Sequence, residues 1–210
     1  MENTTLPTET RLTHVVYLHG FRSSPQSVKA TRLAEIFRQH YPHVHWWCPP
    51  LPPSPGAAAE LIQTTTAHWP SASMAIVGSS LGGFYAAWLA HQKDCKAIVI
   101  NPAVDPARDL ARYIGEHTAW HDPKQRFYFA PDYVDELRDL YVDGFQHPEK
   151  VFALIAKGDE VLDWREMSQR YARSQQLVLE GSDHGVHDFE LYIPTLLQFL
   201  GLPDFQEKNN

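Results

Sequence analysis

With 210 residues, 43% of them hydrophobic and 20% charged, the chain carries enough apolar material for one buried core and reads as a single domain, 1–210. Its formal charge of -7 leaves no basic stripe to displace counterions from phosphates, so no nucleic-acid partner is expected. No apolar run approaches the ~18 residues of a membrane span. Met1 to Arg11 is polar and acidic and lacks the basic and apolar regions of a secretory leader. Cys48 and Cys95 are two and far apart, as expected of reduced thiols rather than a disulfide framework, and the cytoplasm is the expected compartment.

Residues 1–12 read as a loose tail. Val15-Val16-Tyr17-Leu18 is an unalternating apolar run, the pattern of a parallel strand covered on both faces, and it ends at His19-Gly20-Phe21. Ser24-Pro25 offers an N-cap and a first-turn proline for a helix in which Ala30, Leu33, Ala34 and Phe37 recur at helical spacing. A second strand is expected at Val44–Cys48. The prolines of 49–55 fit a stiff loop, with Ser54-Pro55 capping the next helix; a polyproline ligand for an SH3-like partner is the competing reading. A third strand, Met74–Val77, leads to a helix with Phe84, Ala87 and Trp88 facing inward. The fourth, Ala97–Ile100, breaks at Asn101-Pro102. Residues 102–150 then lose the β-α rhythm. They carry helix patterns at Pro106–Ile114 and Tyr133–Val142 around an aromatic stretch with Trp120, Phe127, Tyr128 and Phe129, and read as a small helical cap-like insertion lying over one end of the sheet. Alternation resumes with Val151–Ala156, a helix from Asp163 to about 172 opened by an apparent capping box (Asp163, Glu166), a strand at Leu177–Leu179 and a final helix through Leu200. The expected fold is therefore α/β: a doubly wound, mainly parallel six-stranded sheet. Ligands of such sheets bind beyond the carboxyl ends of the strands where strand order reverses, here between His19-Gly20-Phe21 and Ser80 if the first and third strands are neighbours.

The densest signal is Ala75-Ile76-Val77-Gly78-Ser79-Ser80-Leu81-Gly82-Gly83-Phe84. Gly78 and Gly82 flank Ser80 at minus and plus two, the G-x-S-x-G of a nucleophile elbow, where a serine at the tip of a strand-to-helix turn needs neighbours without bulk. Gly83 adds a third small residue where the helix meets the sheet. A phosphate-cradling loop is disfavoured, because neither G-x-x-x-x-G-K-[ST] nor G-x-G-x-x-G is present.

A serine hydroxyl needs a base, and histidine is the side chain suited to that task near neutral pH. The chain has 12 histidines, so position must choose among them. His184 follows the last strand and precedes the last helix, on the same rim as Ser80; His187 is the fallback. Asp159, just past the strand ending at Ala156, is the first choice to orient the imidazole, with Asp163 and Glu160 as competitors; Asp163 already suits a helix N-cap. The order Ser80, Asp159, His184 is that of α/β-hydrolases. An oxyanion would be met by the backbone N–H groups of Leu81 and Phe21, with Arg22 second to Phe21, while His19 holds their loop. No metal or other cofactor is expected; the metal alternative would be built on His184 and His187 with Asp183 or Asp188.

Taken together, Tyr17 to Phe21 followed by Ser23-Ser24-Pro25, Pro49 to Pro53, Gly78 to Gly83, Asn101 to Val104 and Gly158 to Asp163 resemble the YqiA-like esterase family within the α/β-hydrolase superfamily, across nearly the whole chain. The resemblance implies a compact, metal-free hydrolase of esters or thioesters of rather simple acyl groups, with Ser80, Asp159 and His184 as its triad. The expectation is thus a serine hydrolase acting on a small-molecule acyl ester or thioester. The competing class is a catalytically inert protein of the same fold that binds a small ligand.

Overall fold

The computed structural model describes residues 11–122 and 124–203. The expected tail lies outside them up to residue 10, whereas Leu12 is buried and the Thr13 amide donates to the Ser73 carbonyl at 2.7 Å. Eight strands and seven α-helices follow. The first half runs β1 (His14–Leu18), α1 (Val28–His40), β2 (His45–Trp47), α2 (Pro55–Thr66), β3 (Met74–Ser79), α3 (Leu81–Lys93) and β4 (Lys96–Ile100). Then come α4 (Pro106–Leu110), β5 (Gly115–Thr118), β6 (Arg126–Phe129), α5 (Asp132–Asp139), β7 (Val151–Ala156), α6 (Trp164–Arg170), β8 (Gln175–Leu179) and α7 (Ile193–Leu200).

Six of the strands form one sheet in the order β2-β1-β3-β4-β7-β8, every pairing parallel. The continuous apolar runs are explained by the two cores they divide between. Val16, Leu18, Ile76, Ala97, Val99, Ala153 and Ile155 pack on one side with residues of α2, α3, α5 and α6. Their neighbours Val15, Tyr17, Ala75, Val77, Ile98, Ile100, Leu154 and Ala156 pack on the other with α1 and α7. Since successive side chains of a strand point to opposite faces, burying both faces demands an apolar residue at every position. From β1 the chain steps outward to β2 and returns on the opposite side as β3, so strand order reverses between β1 and β3. Among the described residues no helix is long and apolar enough to cross a membrane.

Three local expectations need correction. Helix α1 begins at Val28, not after Ser24: the Ser24 hydroxyl accepts the Gln26 N–H (3.1 Å) and forms a turn ahead of the helix. In α3 Phe84, Ala87 and Trp88 are buried as expected, and so is every other residue from Leu81 to Ala90. At α6 the Asp163 side chain does cap, accepting the Arg165 N–H at 2.9 Å, but Glu166 does not close a capping box. Its carboxylate is taken instead by a two-bond pairing with the Arg108 guanidinium (2.9 and 2.7 Å). Finally, 102–150 contains strands: β5 and β6 form a two-stranded antiparallel hairpin between the two helices.

Where α3 crosses the end of β1, the backbones meet with no room for a side chain. A Cβ built on Gly82 would lie 1.9 Å from the Leu18 carbonyl oxygen, and one on Gly78 2.1 Å from the Gly82 oxygen. A Cβ on Gly83 would lie 2.7 Å from Pro102, in the loop after β4, and 3.5 Å from the Gly78 oxygen of β3. Gly82→Ala is expected to destabilise the fold by at least the ~1–3 kcal/mol of an overpacked core, read as a lower urea midpoint. An unchanged midpoint would show that α3 can move away from β1.

Candidate active site

Strand β3 delivers Ser80 to the carboxyl rim of the sheet, and the chain turns there at φ 57°, ψ -123° before entering α3. A non-glycine residue in this region costs roughly 1–3 kcal/mol and persists only where its surroundings over-determine it. They do so here. The Ser80 N–H donates to the Ile100 carbonyl (3.0 Å), and the Ser80 carbonyl accepts the N–H groups of Gly83 (2.9 Å) and Ala103 (3.0 Å). The hydroxyl is thereby raised above the rim, in front of the reversal between β1 and β3.

Three loops far apart in sequence meet at this point. The His184 ring sits between the other two side chains, with Nε2 3.0 Å from Ser80 Oγ and Nδ1 2.7 Å from Asp159 Oδ2. The second Asp159 oxygen, Oδ1, accepts the backbone N–H groups of Val161 and Leu162, both at 2.8 Å, and the carboxylate is fully buried. With Nδ1 facing a carboxylate, the imidazole carries its proton there and leaves Nε2 to accept from the serine hydroxyl. The competing acids stand elsewhere. Asp163 is a half-exposed N-cap, and Glu160 accepts the backbone N–H of His184 at 3.0 Å. His187 is exposed, its ring 3.7 Å from Asp183. Among the described residues no group of His, Cys, Asp and Glu could hold a metal ion.

The loop after β1 closes the opposite side. Gly20 through Ser23 form a turn in which the Gly20 carbonyl accepts the Ser23 N–H (3.2 Å) and Arg22 takes φ 60°. That turn leaves the Phe21 N–H unused, and Leu81, first residue of α3, has no acceptor within its own helix. Buried His19 braces the turn. The Leu51 amide can only donate, so Nε2 accepts it (3.1 Å), and the Nδ1 proton goes to the Gly20 carbonyl (3.1 Å). The proline loop is thus stitched to the β1 loop by a neutral imidazole.

Phe21 anchors the 102–150 segment. Its ring packs edge-on against His117, Phe127 and Phe129 at 5.4–5.7 Å between centroids, with Tyr113 at 6.0 Å. Arg22 donates through Nε to the Thr118 carbonyl (2.8 Å), and its guanidinium lies 3.8 Å over the Trp120 ring. The outcome is a cavity of about 260 Å³ lined by Ser80, Leu81 and His184 together with Phe21, Leu110, Tyr113, Trp120 and Leu162. A second cleft of about 590 Å³ lies beyond Pro106, but its arginines Arg108, Arg138 and Arg170 are already bonded to carboxylates or carbonyls. Ser80 and His184 both line the smaller cavity and neither lines the larger. Of the aromatic stretch, only Trp120 reaches it; Phe127 and Phe129 act through Phe21.

The fold is that of the α/β-hydrolases. The mouse α/beta hydrolase domain-containing protein 10 aligns over 95% of this chain and 98% of its own at 15% identity, with a TM-score of 0.66. Est1E from Butyrivibrio proteoclasticus aligns over 91% and 88% at 17% identity (TM-score 0.66), and a monoacylglycerol lipase from Paleococcus ferrophilus over 91% and 96% at 14% (TM-score 0.60). Residues 14–201 match the Uncharacterised protein family (UPF0227), and the chain belongs to it.

Sequence reasoning assigned none of three contributors the part it plays here. Glu160 holds the His184 amide. Lys29, whose ammonium burial disfavours against the pull of Asp183 and Asp159, donates to the Gly185 carbonyl at 2.5 Å. Asn101 bonds both loops at once. The sequence offered the break at Asn101-Pro102 and put Glu160 among the competing acids, but held no signal for Lys29.

Burial holds the His19 pKa below its ordinary 6.5, with a smaller push from His121, against the favourable Gly20 bond. In the unfolded chain this ring takes its proton near pH ~6.5, whereas in the folded protein it resists. Its contribution is therefore complete above that pH and is lost as pH falls toward the depressed folded value. Replacing His19 by Gln is expected to flatten the fall in urea midpoint between pH 7.5 and 5. Parallel pH profiles for the two proteins would remove His19 from this account; His14, also lowered, is common to both.

Proposed function

We propose that the protein is a serine hydrolase that cleaves small carboxylic esters or thioesters through an acyl-enzyme. The observation carrying this reading is the unbroken chain from the Ser80 hydroxyl through the His184 ring to the Asp159 carboxylate. Its supports are the strained Ser80 backbone, spare backbone donors on both sides of the hydroxyl and the fold shared with lipases and esterases.

In this mechanism Ser80 Oγ attacks the acyl carbon as its proton passes to His184 Nε2. Asp159 keeps Nδ1 protonated and offsets the charge of the imidazolium. The Phe21 and Leu81 N–H groups receive the oxyanion, the latter reinforced by the positive end of α3. Collapse breaks the acyl–oxygen or acyl–sulfur bond, and the alcohol or thiol leaves with the proton from Nε2. Water then gives a proton to Nε2 and attacks the acyl-enzyme; the acid departs and the hydroxyl is restored. Residues 102–150 serve as the cap over the acyl group. A cavity of about 260 Å³ holds roughly nine water-sized groups at ~30 Å³ each, which favours acyl chains of no more than about eight carbons.

A fluorophosphonate probe is expected to label Ser80 in the folded protein and to leave Ser80→Ala unlabelled. Absence of labelling would favour a ligand-binding protein without turnover. Asp159→Asn should lower kcat by about three to four orders of magnitude, because the wrong tautomer then faces the serine. Asp163→Asn, which keeps a competent N-cap, should change stability by less than about 1 kcal/mol and kcat hardly at all. The reverse ranking would reassign the acid. Across p-nitrophenyl esters, butyrate and hexanoate should exceed palmitate in kcat/KM; a palmitate optimum would mean that the chain runs outside this cavity.

A further inference from the structure

Asn101 follows β4, is fully buried and takes φ 41°, yet no step of the mechanism above touches it. Its side chain makes three hydrogen bonds. Nδ2 donates to the carbonyls of Asp183 (3.0 Å) and His184 (3.1 Å), and Oδ1 accepts the Ala156 N–H (2.7 Å). The partners fix which atom is which, because two carbonyls can only accept and an amide can only donate.

These bonds are not part of the sheet. Asn101 already continues the β4–β7 pairing through its own backbone, the N–H donating to the Leu154 carbonyl at 2.9 Å. The carboxamide instead reaches the last residue of β7, three residues before Asp159, and the backbone of His184 itself. The preceding residue, Ile100, holds the Ser80 N–H, and Ala103 donates to the Ser80 carbonyl. One short segment thereby grips the backbones of all three loops. We propose that Asn101 is a positioning residue whose buried carboxamide sets the Ser80–His184–Asp159 geometry by joining the histidine loop and the acid loop to the strand end that holds Ser80. The role presupposes the hydrolase reading.

No other side chain of similar shape can replace it. Aspartate has the same outline but, when ionised, turns an oxygen toward two carbonyls and loses both bonds. When protonated it regains one O–H donor while its second oxygen still accepts from Ala156. Serine is too short to span the three partners. A displacement of the ring by about 1 Å is enough to cost roughly 100-fold in rate.

The test uses Asn101→Asp and Asn101→Ser beside wild type and Ser80→Ala, each checked for cooperative melting, with p-nitrophenyl butyrate as substrate. Both variants are expected to lose about 100-fold in kcat at pH 8 with KM within about threefold of wild type. Relative to wild type at each pH, Asn101→Asp should recover about tenfold between pH 8 and 5.5 as its carboxyl gains a proton, while Asn101→Ser should not. The charged groups nearby (Asp159 and Glu160 on the acid loop, Asp183 and His184 on the histidine loop, Lys29 on α1) are present in every protein, so the ratio isolates position 101. A substrate-free readout accompanies it: the downfield proton signal of the His184–Asp159 hydrogen bond, present in wild type and lost in folded Asn101→Ser. Folded Asn101→Ser with near-normal kcat and an intact imidazole signal would overturn the proposal, as would losses in the two variants that track each other at every pH. If wild type is neither labelled at Ser80 nor active, the hydrolase reading fails, and the imidazole signal alone decides what Asn101 holds in place.

Discussion

At Ser80 the backbone turns from strand to helix in a conformation that most residues avoid, and the rest of the rim is built to keep it there. The Cβ-free surfaces of Gly78 and Gly82 let α3 close down on the ends of β1 and β3. The Ile100 carbonyl and the Ala103 amide hold the serine's own peptide groups from the side of β4. Removing either constraint would let the turn relax to ordinary torsion angles and draw the hydroxyl back from the rim. The roughly 1–3 kcal/mol stored in the turn is small beside the two cores that flank the sheet, which is why the fold can carry it.

Around that turn, polar groups removed from water are matched by partners rather than left to solvent. Asp159 satisfies two amides with one oxygen and the imidazole with the other. His19 is neutral and uses both ring nitrogens. Glu160 and Lys29 engage opposite ends of the His184 backbone region, one by accepting an N–H and the other by donating to a carbonyl. A buried polar group without a partner costs about 1–3 kcal/mol, so the Asp159 and His19 bonds both avoid a penalty and remove a freedom of the loop, while the exposed bonds of Glu160 and Lys29 do the latter. The geometry of the imidazole is a consequence of that satisfaction.

The 102–150 segment follows a different rule. Its hairpin shows no readable period: Gly-Glu-His-Thr in β5 and Arg-Phe-Tyr-Phe in β6 are four residues each, too short to display a period of two. What places it is Phe21, whose ring is enclosed by Phe127, Phe129 and His117. Tyr128, between the two phenylalanines, points outward and is half exposed, as alternation requires once the pairing exists. The contact that organises the segment is nearly a hundred residues away in sequence, and no local pattern encodes it. The start of α1 was obscured for a related reason: Ser24-Pro25 has the composition of a cap, and a turn uses the same residues.

Read alone, the sequence was sufficient for the order of the sheet elements, the glycine-flanked serine and the loops in which His184 and Asp159 lie. Those features are local: a strand buried on both faces must be apolar throughout, and a sharp turn must have small neighbours. It left His187, Asp163 and Glu160 as alternatives, because which side chain faces inward depends on loop torsions that composition does not record. Tertiary structure alone decided that Asp159 turns one oxygen to the His184 ring, that Glu160 takes the backbone instead, and that Asn101 ties the two loops together. Each of these is a hydrogen bond of 2.7–3.1 Å between segments that are distant in sequence and that the folded sheet brings together.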